Sequence, residues 1–470
     1  METIGKHEKH QTRKEAAHLR KIRHIKSRLM SVLLTGSLLF VPTMSVSGST
    51  LSQPAPSGLT QTTAQKPLSR TPLLSWDKNL DAIAYEIEIF KENIKNIDPL
   101  DNNERAFFHT TAVYTNSYSL PLYEMEGNLP KNGPVYWRVR ALSLDGQAIS
   151  PFSELVPLYT DPMLPRIDAP IPRTINQNAK GSAMLYPVYS WIRPSNAASF
   201  EIQVFSDDPD KNPSMKPVAD YMSPIAEFYD PAPRMGPAAF YWRVRSLDDS
   251  GKPIGNWSKS TGFRTSPTDN WEIAVFGDSI SHGGGHISFG PADLEYSWLT
   301  YLNSPAVNLS QSGNLTSDML ARFERDVVPF HPKYLLIMGG SNDLRSDDYS
   351  VESAMQNMDA IEKKCREHGI RPIFLTLPPV NTANIARAFS ESTDPAWKEK
   401  FARFNEFLRQ KPHIDVAKSF AAYSSEKAEL PEWLGYDGLH EDIIGKQLIA
   451  ARINADWENA VQAADEWFNQ

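Results

Sequence analysis

The chain has 470 residues, 41% hydrophobic and 22% charged, the proportions of an ordinary folded protein with room for two to four domains. Its formal net charge is −8, but residues 1–28 carry nine Lys/Arg and three Glu, so the remainder stands at −14. Such a surface argues against nucleic acid as a partner, because a phosphate backbone demands clustered Lys and Arg. The single cysteine, Cys365, rules out an internal disulfide and a cysteine-rich zinc site.

The N-terminal region has a long basic stretch to Arg28, an apolar run from Leu29 to Val41, then Pro42 and small residues. This layout predicts a secretory signal over 1–48, cut near Ser47–Ser49, and so export to the periplasm, the cell surface or the medium. The alternative is an uncleaved membrane anchor, for which Pro, Gly and five Ser between Leu29 and Thr50 make a poor span. Residues 49–70, rich in Ser, Thr, Pro and Gln, read as a flexible linker.

An internal repeat follows. Ser75-Trp76 and the run Tyr85–Phe90 return as Ser190-Trp191 and Phe200–Phe205, an offset of 115. The run Tyr136–Arg140 returns as Tyr241–Arg245 at an offset of 105, so the first copy holds about ten extra residues, expected around Asn93–Arg105. Alternating apolar residues between turn signals predict two all-β sandwiches, over 71–162 and 163–266. With an early Trp and a late YWRVR strand, they resemble fibronectin type III modules of the immunoglobulin-like class. Trp76, Trp137, Trp191 and Trp242 are expected in the sandwich cores, with sugar stacking the lesser alternative.

From 267 to 470 the pattern changes to alternating strands and helices. Strands are predicted at Glu272–Phe276, Ala306–Leu309, Tyr334–Met338, Pro372–Leu377 and near Ile414–Val416. Helices are predicted at Ala292–Asn303, Thr316–Arg325, Val351–His368, Pro395–Gln410 and Glu441–Trp467. Cys365 falls on the third of these as a buried or half-buried thiol. The rhythm implies a parallel sheet covered by helices on both faces, with its active edge beyond the carboxyl ends of the strands.

Short polar blocks interrupt that rhythm. Gly277-Asp278-Ser279 follows the first strand, Ser310 to Asn314 the second, and Gly339 to Asp343 the third; Asp437 to His440 lies near the C-terminus. Any one block alone reads as a turn. Together, in this order, they resemble the SGNH hydrolases, also called the GDSL esterase/lipase family, over about Trp271–Phe468. The resemblance implies a three-layer, flavodoxin-like α/β domain and serine ester hydrolysis without a metal or cofactor. It makes Ser279 the nucleophile, His440 the base and Asp437 its orienting carboxylate. The Ser279 and Gly313 amides and the Asn342 side chain become the oxyanion donors. Among eleven histidines, only His440 has an acid in a recognisable motif. Asp278 and Asp343 are expected to brace their turns.

His282 and His286 flank three glycines; with no third ligand evident they are read as pocket-mouth residues rather than metal ligands. Val380, Asn381 and Trp433 are further candidates for the pocket rim. The expected substrate is an acylated glycan or another ester, with the sandwiches associating with a polysaccharide or cell surface. No long apolar lid favours a lipase. The same serine would also serve a lysophospholipase or a glycan O-acetyltransferase, and a non-catalytic glycan-binding protein is the reading from another class. A fragment from Thr265 onward is expected to fold alone and cleave a small ester.

Overall fold

The computed structural model describes residues 51–173, 183–194, 196–285, 289–423 and 428–470. The expected signal over 1–48 lies outside them. The described chain forms two compact units: one ends at Ile167 and also takes in 387–391, and the other holds 168–386 and 392–470.

In the first unit, β1 (Leu73–Ser75) pairs with β4 (Ser117–Ser119), and β2 (Ala84–Phe90) lies between β3 (Phe108–Val113) and β5 (Val135–Leu142), with β6 (Val156–Leu158) beyond β5. All these pairings are antiparallel. Alternation along β2 sends Tyr85, Ile87 and Ile89 into a core with Trp76 and Trp137. Glu86 and Glu88 face the other way, opposite Arg140 and Arg138, and ion-pair with them. Phe152 covers both guanidinium groups, at 3.9 and 4.3 Å from ring centre. The result is a strand buried on both faces despite its charges.

The stretch expected as a flexible linker is instead docked. Its backbone bonds to the sandwich through Gln53, Thr60 and Leu68, whose amides donate to Ile149, Ser75 and Tyr159 carbonyls, and Thr62 and Ser69 are buried. Its polarity supplies the partners that strand edges require, which composition alone does not distinguish from a linker.

The second unit opens with a similar antiparallel arrangement. One sheet has β7 (Ile171–Pro172), β8 (Val188–Ile192) and β11 (Glu227–Tyr229). The other has β9 (Ser199–Phe205), β10 (Ala219–Ser223), β12 (Phe240–Leu247), β13 (Pro253–Ile254) and β14 (Thr261–Phe263). Trp191 and Trp242 meet in its core with Tyr189, Phe200 and Phe263. The extra residues of the first copy are shared between the loop after β2 and the turn Leu122–Asn128, not confined to 93–105.

The rest of the second unit is a parallel sheet in the order β16-β15-β17-β18-β19 among the described residues, with β15 at Ile273–Gly277, β16 at Ala306–Asn308, β17 at Tyr334–Met338, β18 at Arg371–Leu375 and β19 at His413–Ile414. β15 and β17 are buried at every residue, which is why they read as continuous apolar runs rather than alternating ones. The helices are α1 (Ser279–His282), α2 (Thr316–Asp326), α3 (Ser341–Leu344), α4 (Val351–Glu367), α5 (Thr382–Phe389), α6 (Trp397–Arg409), α7 (Val416–Ala421) and α8 (Ile443–Phe468). Cys365 is buried on α4. α4 packs against α2 and α6, whereas α8 runs along β18 and β19. The chain leaves β15 for β16 on one side and then crosses to β17 on the other, so the carboxyl end of β15 lies at the reversal of strand order where such sheets form a crevice.

The helix expected over Ala292–Asn303 is instead two short 3-10 turns, Leu294–Tyr296 and Trp298–Tyr301. Ser297 between them is extended, at φ −113° and ψ 122°, and the Tyr296 carbonyl accepts from the Gly284 amide rather than continuing a helical ladder.

Candidate active site

Ser279 is placed by a tight exit from β15. A side chain on Gly277 would lie 2.0 Å from the Met338 carbonyl oxygen, so only glycine passes the end of β17 there. The Asp278 carboxylate then accepts the Ile280 amide at 3.0 Å, capping α1. Burial pushes that carboxyl up to about 6. Ser279, first residue of α1, stays half-buried, and its Oγ is 2.8 Å from His440 Nε2.

His440 Nδ1 is in turn 2.8 Å from Asp437 Oδ2. The other oxygen of Asp437 accepts the amides of Leu439 and His440 at 2.8 and 2.7 Å. A buried carboxylate so placed only accepts, so Nδ1 carries the proton and Nε2 is left to take one from the serine hydroxyl. The structure thus brings Ser279, His440 and Asp437 into one hydrogen-bonded line.

The two other blocks are tied to each other. Gly313 is exposed with φ +80°, and nothing stands where a Cβ would go, so glycine serves the backbone conformation there and not the space. Asn342 Nδ2 donates to the Asn314 carbonyl at 3.0 Å, holding its amide against the Gly313 loop. Asp343 accepts the Thr316 amide at 3.0 Å and the Thr316 hydroxyl at 2.6 Å, which fixes the turn carrying Asn342. Burial pushes the Asp343 carboxyl up to about 6. Ser279, His440 and Asn342 are half-buried and Gly313 is exposed, so solvent reaches the arrangement.

Several rim candidates take other places. His282 is only 1% exposed and lies beneath the serine turn, bonded to Ser312 and Tyr186. The helical turn carries it inward, whereas a loop reading had put it at the mouth. Val380 is buried too, and Asn381 braces the histidine loop: its amide donates to the Gly438 carbonyl at 2.7 Å and its Nδ2 to the Leu430 carbonyl at 3.1 Å. Trp433 does stand out, 51% exposed and edge-on to Tyr423 at 5.5 Å. His286 lies outside the described residues. No group of three His, Cys, Asp or Glu able to hold a metal occurs among the described residues.

Two buried charge networks beneath the site escape sequence reasoning. Lys446, fully buried on α8, donates to the Ile280 carbonyl at 3.0 Å and to Glu441 Oε2 at 3.1 Å. Arg322, on α2, donates to the Leu309 and Gly277 carbonyls at 2.6 and 3.0 Å and to Asn314 Oδ1 at 2.5 Å. One guanidinium therefore ties together the ends of β15 and β16. The available signal was a charge on the apolar stripe of each helix, Arg322 between Met319 and Phe323 and Lys446 between Ile443 and Ile449.

Residues 275–447 match the model of the GDSL-like Lipase/Acylhydrolase family. Among curated proteins, the uncharacterized lipoprotein YqeF of Bacillus subtilis is 29% identical over 124 residues, 24% of this chain. The matched stretch spans about half (51%) of that relative's length. Among solved structures, the lipase/acylhydrolase from Enterococcus faecalis is 22% identical, with TM-score 0.32, over 40% of this chain and 96% of its own. A GDSL-like lipase from Bacteroides thetaiotaomicron is 17% identical, with TM-score 0.33, over 41% of this chain and 90% of its own. A catalytic mutant of an acetylxylan esterase from Geobacillus stearothermophilus is 18% identical, with TM-score 0.31, over 39% and 92%.

Proposed function

Residues 275–447 being a GDSL-like lipase/acylhydrolase domain, we propose that the protein is an exported serine esterase that removes O-acetyl groups from a polysaccharide or glycan. The observation that carries this reading is the line from Ser279 Oγ through His440 to Asp437, with both links at 2.8 Å. Ser279 Oγ attacks the ester carbonyl carbon as its proton passes to His440 Nε2. The carbonyl oxygen, now anionic, meets the Ser279 and Gly313 amides and Asn342 Nδ2. His440 returns the proton to the departing sugar hydroxyl. Water then gives a proton to Nε2 and attacks the acyl-serine carbonyl; the bond to Ser279 Oγ breaks, Oγ takes the proton back from Nε2, and the acetic acid released ionises to acetate.

The glycan part of the proposal has separate support. A solvent-reachable serine suits an ester on a bulky carrier, and Trp433 with Tyr423 offers exposed aromatic faces a few residues before the histidine loop, the kind of surface on which sugar rings stack. The two antiparallel modules, proposed as fibronectin type III-like, would present such a polymer or set the domain off from a surface. The test is acetate release from a panel of acetylated polysaccharides beside p-nitrophenyl acetate and long-chain esters, with Ser279→Ala as control. Preference for acetylated glycan over long acyl chains is expected. Faster turnover of long-chain esters would replace the glycan reading with a lipase one, and full activity in Ser279→Ala would end the serine mechanism.

A further inference from the structure

We infer that Tyr186 and His282 are positioning residues of the active site, so that the antiparallel module before residue 267 is a working part of the catalytic centre. This rests on Ser279 being the nucleophile and Gly313 an oxyanion donor.

β16 is the outermost strand of the parallel sheet, and Ala183–Leu185 completes it from outside. The Asn308 amide donates to the Ala183 carbonyl and the Leu185 amide to the Asn308 carbonyl, both at 2.8 Å. Asn308, buried, passes the connection inward, because its Nδ2 donates to the Ser281 and His282 carbonyls at 3.0 Å each. Thr265, at the end of the module, donates its hydroxyl to the Met184 carbonyl at 2.7 Å and so fixes the added segment.

Tyr186, the next residue, reaches the site by two routes. Its carbonyl lies 2.7 Å from His282 Nε2. A carbonyl only accepts, so Nε2 carries the proton and Nδ1 is the acceptor. Nδ1 faces the Ser312 amide at 3.2 Å and the Ser312 hydroxyl at 2.9 Å, both of which can donate to it. Ser312 precedes Gly313, so this imidazole clamps the peptide segment that aims the Gly313 amide. Burial pushes His282 down to about 4, in keeping with the neutral form that this bonding requires. The Tyr186 hydroxyl takes the second route: it donates to Asp326 Oδ2 at 2.6 Å and accepts from Arg325 at 2.5 Å. Asp326 pairs with Arg322 at 3.2 Å, the guanidinium that holds the ends of β15 and β16.

No substrate atom is needed for any of these contacts. Their effect is to fix where the Gly313 amide points when charge develops on the ester oxygen. Loss of one such donor typically costs ~100–1,000-fold in turnover, so a donor left in place but unclamped should cost ~10–100-fold. The expectation that a fragment from Thr265 acts alone is therefore revised: it would lack the added edge segment, the Tyr186 carbonyl that accepts from His282 Nε2, and the Tyr186–Asp326 link.

The test uses the full-length chain and p-nitrophenyl acetate. His282→Ala should lower kcat ~10–100-fold with KM within ~3-fold, and should weaken an alkyl trifluoromethyl ketone, whose serine adduct carries the oxyanion, in proportion to kcat/KM. His282→Asn keeps an acceptor near the Nδ1 position and should recover several-fold of that loss. Tyr186→Phe keeps the carbonyl but loses the hydroxyl route, and should fall between wild type and His282→Ala. If His282→Ala does not fold, the order wild type, His282→Asn and Tyr186→Phe in kcat and ketone affinity carries the test. Wild-type kcat in the His282 variants, or a loss confined to KM, overturns the inference. Should wild type fail on every ester, or Ser279→Ala remain active, the esterase reading itself fails, a distinct result.

Discussion

Replacing Lys446 with Met tests whether the buried ion pair beneath the Ser279 turn holds the candidate site together. Lys446 and Glu441 are both fully buried, 3.1 Å apart, and the ammonium also satisfies the Ile280 carbonyl one residue beyond Ser279. At an effective dielectric of ~20, two charges at that distance attract by about 5 kcal/mol, against a desolvation cost of several kcal/mol for each ion. The intact pair therefore contributes little net stability. Removing one member is different, because it strands the Glu441 carboxylate and the Ile280 carbonyl in a dry interior, at a cost of ~3–5 kcal/mol. Urea unfolding of the full-length chain, followed by far-UV circular dichroism and by residual esterase activity, measures the change. The activity transition should move to lower urea by that free energy divided by the urea m value, since α1 loses its anchor. Lys446→Met combined with Glu441→Gln should recover ~1–3 kcal/mol, the coupling expected of direct contacts. A single-variant loss below ~1 kcal/mol, or a double variant whose cost equals the sum of its parts, would refute the argument.

Asn342→Ala and His440→Ala should each reduce kcat on p-nitrophenyl acetate by at least ~100-fold, the scale of an oxyanion donor or general base; near-normal rates would dismiss those roles. Asp437→Asn should lower kcat as strongly with KM little changed, because an amide no longer dictates which imidazole nitrogen holds the proton. Incubation with EDTA should leave turnover unchanged, and loss restored by zinc would refute that expectation. Asp278 gives a pH prediction: its carboxyl stands at about 6 when folded against an ordinary 3.8, so wild-type stability from this group is complete below 3.8 and falls as pH rises through 6. Asp278→Asn retains a capping oxygen without that dependence, and relative to wild type it should gain roughly 3 kcal/mol between pH 4 and 7. A thermal-midpoint difference that stays flat across those pH values would show that burial is not straining this carboxyl.

The strands that carry the site were legible in the sequence because each is a short apolar run broken by a polar block. β17 fell at Tyr334–Met338 as expected, and β15 within a residue of its expected place. The Asp437–His440 contact was legible because its geometry is local. Asp437 and His440 are three residues apart and share one loop, so their bond is nearly built into the chain. The cores were also readable, since tryptophans alternating with polar residues leave no other burial for Trp76, Trp137, Trp191 and Trp242.

Contacts across long separations were not legible. His282 looks like a loop residue beside glycines, and only folding turns it under Ser279 to meet Tyr186, 96 positions earlier. Lys446 and Arg322 interrupt the apolar stripes of their helices, but spacing does not say that a carboxylate and strand-end carbonyls will surround them. The polar segment 51–70 resembles a linker until the strand edges that take up its amides are in place. Sequence by itself determined the periodicities and the local motifs, hence the parallel sheet and the polar blocks at its carboxyl edge. Tertiary structure alone decided which distant groups hold them, because a buried polar atom must find a partner wherever the fold brings one within 3 Å, and spacing along the chain carries no record of that choice.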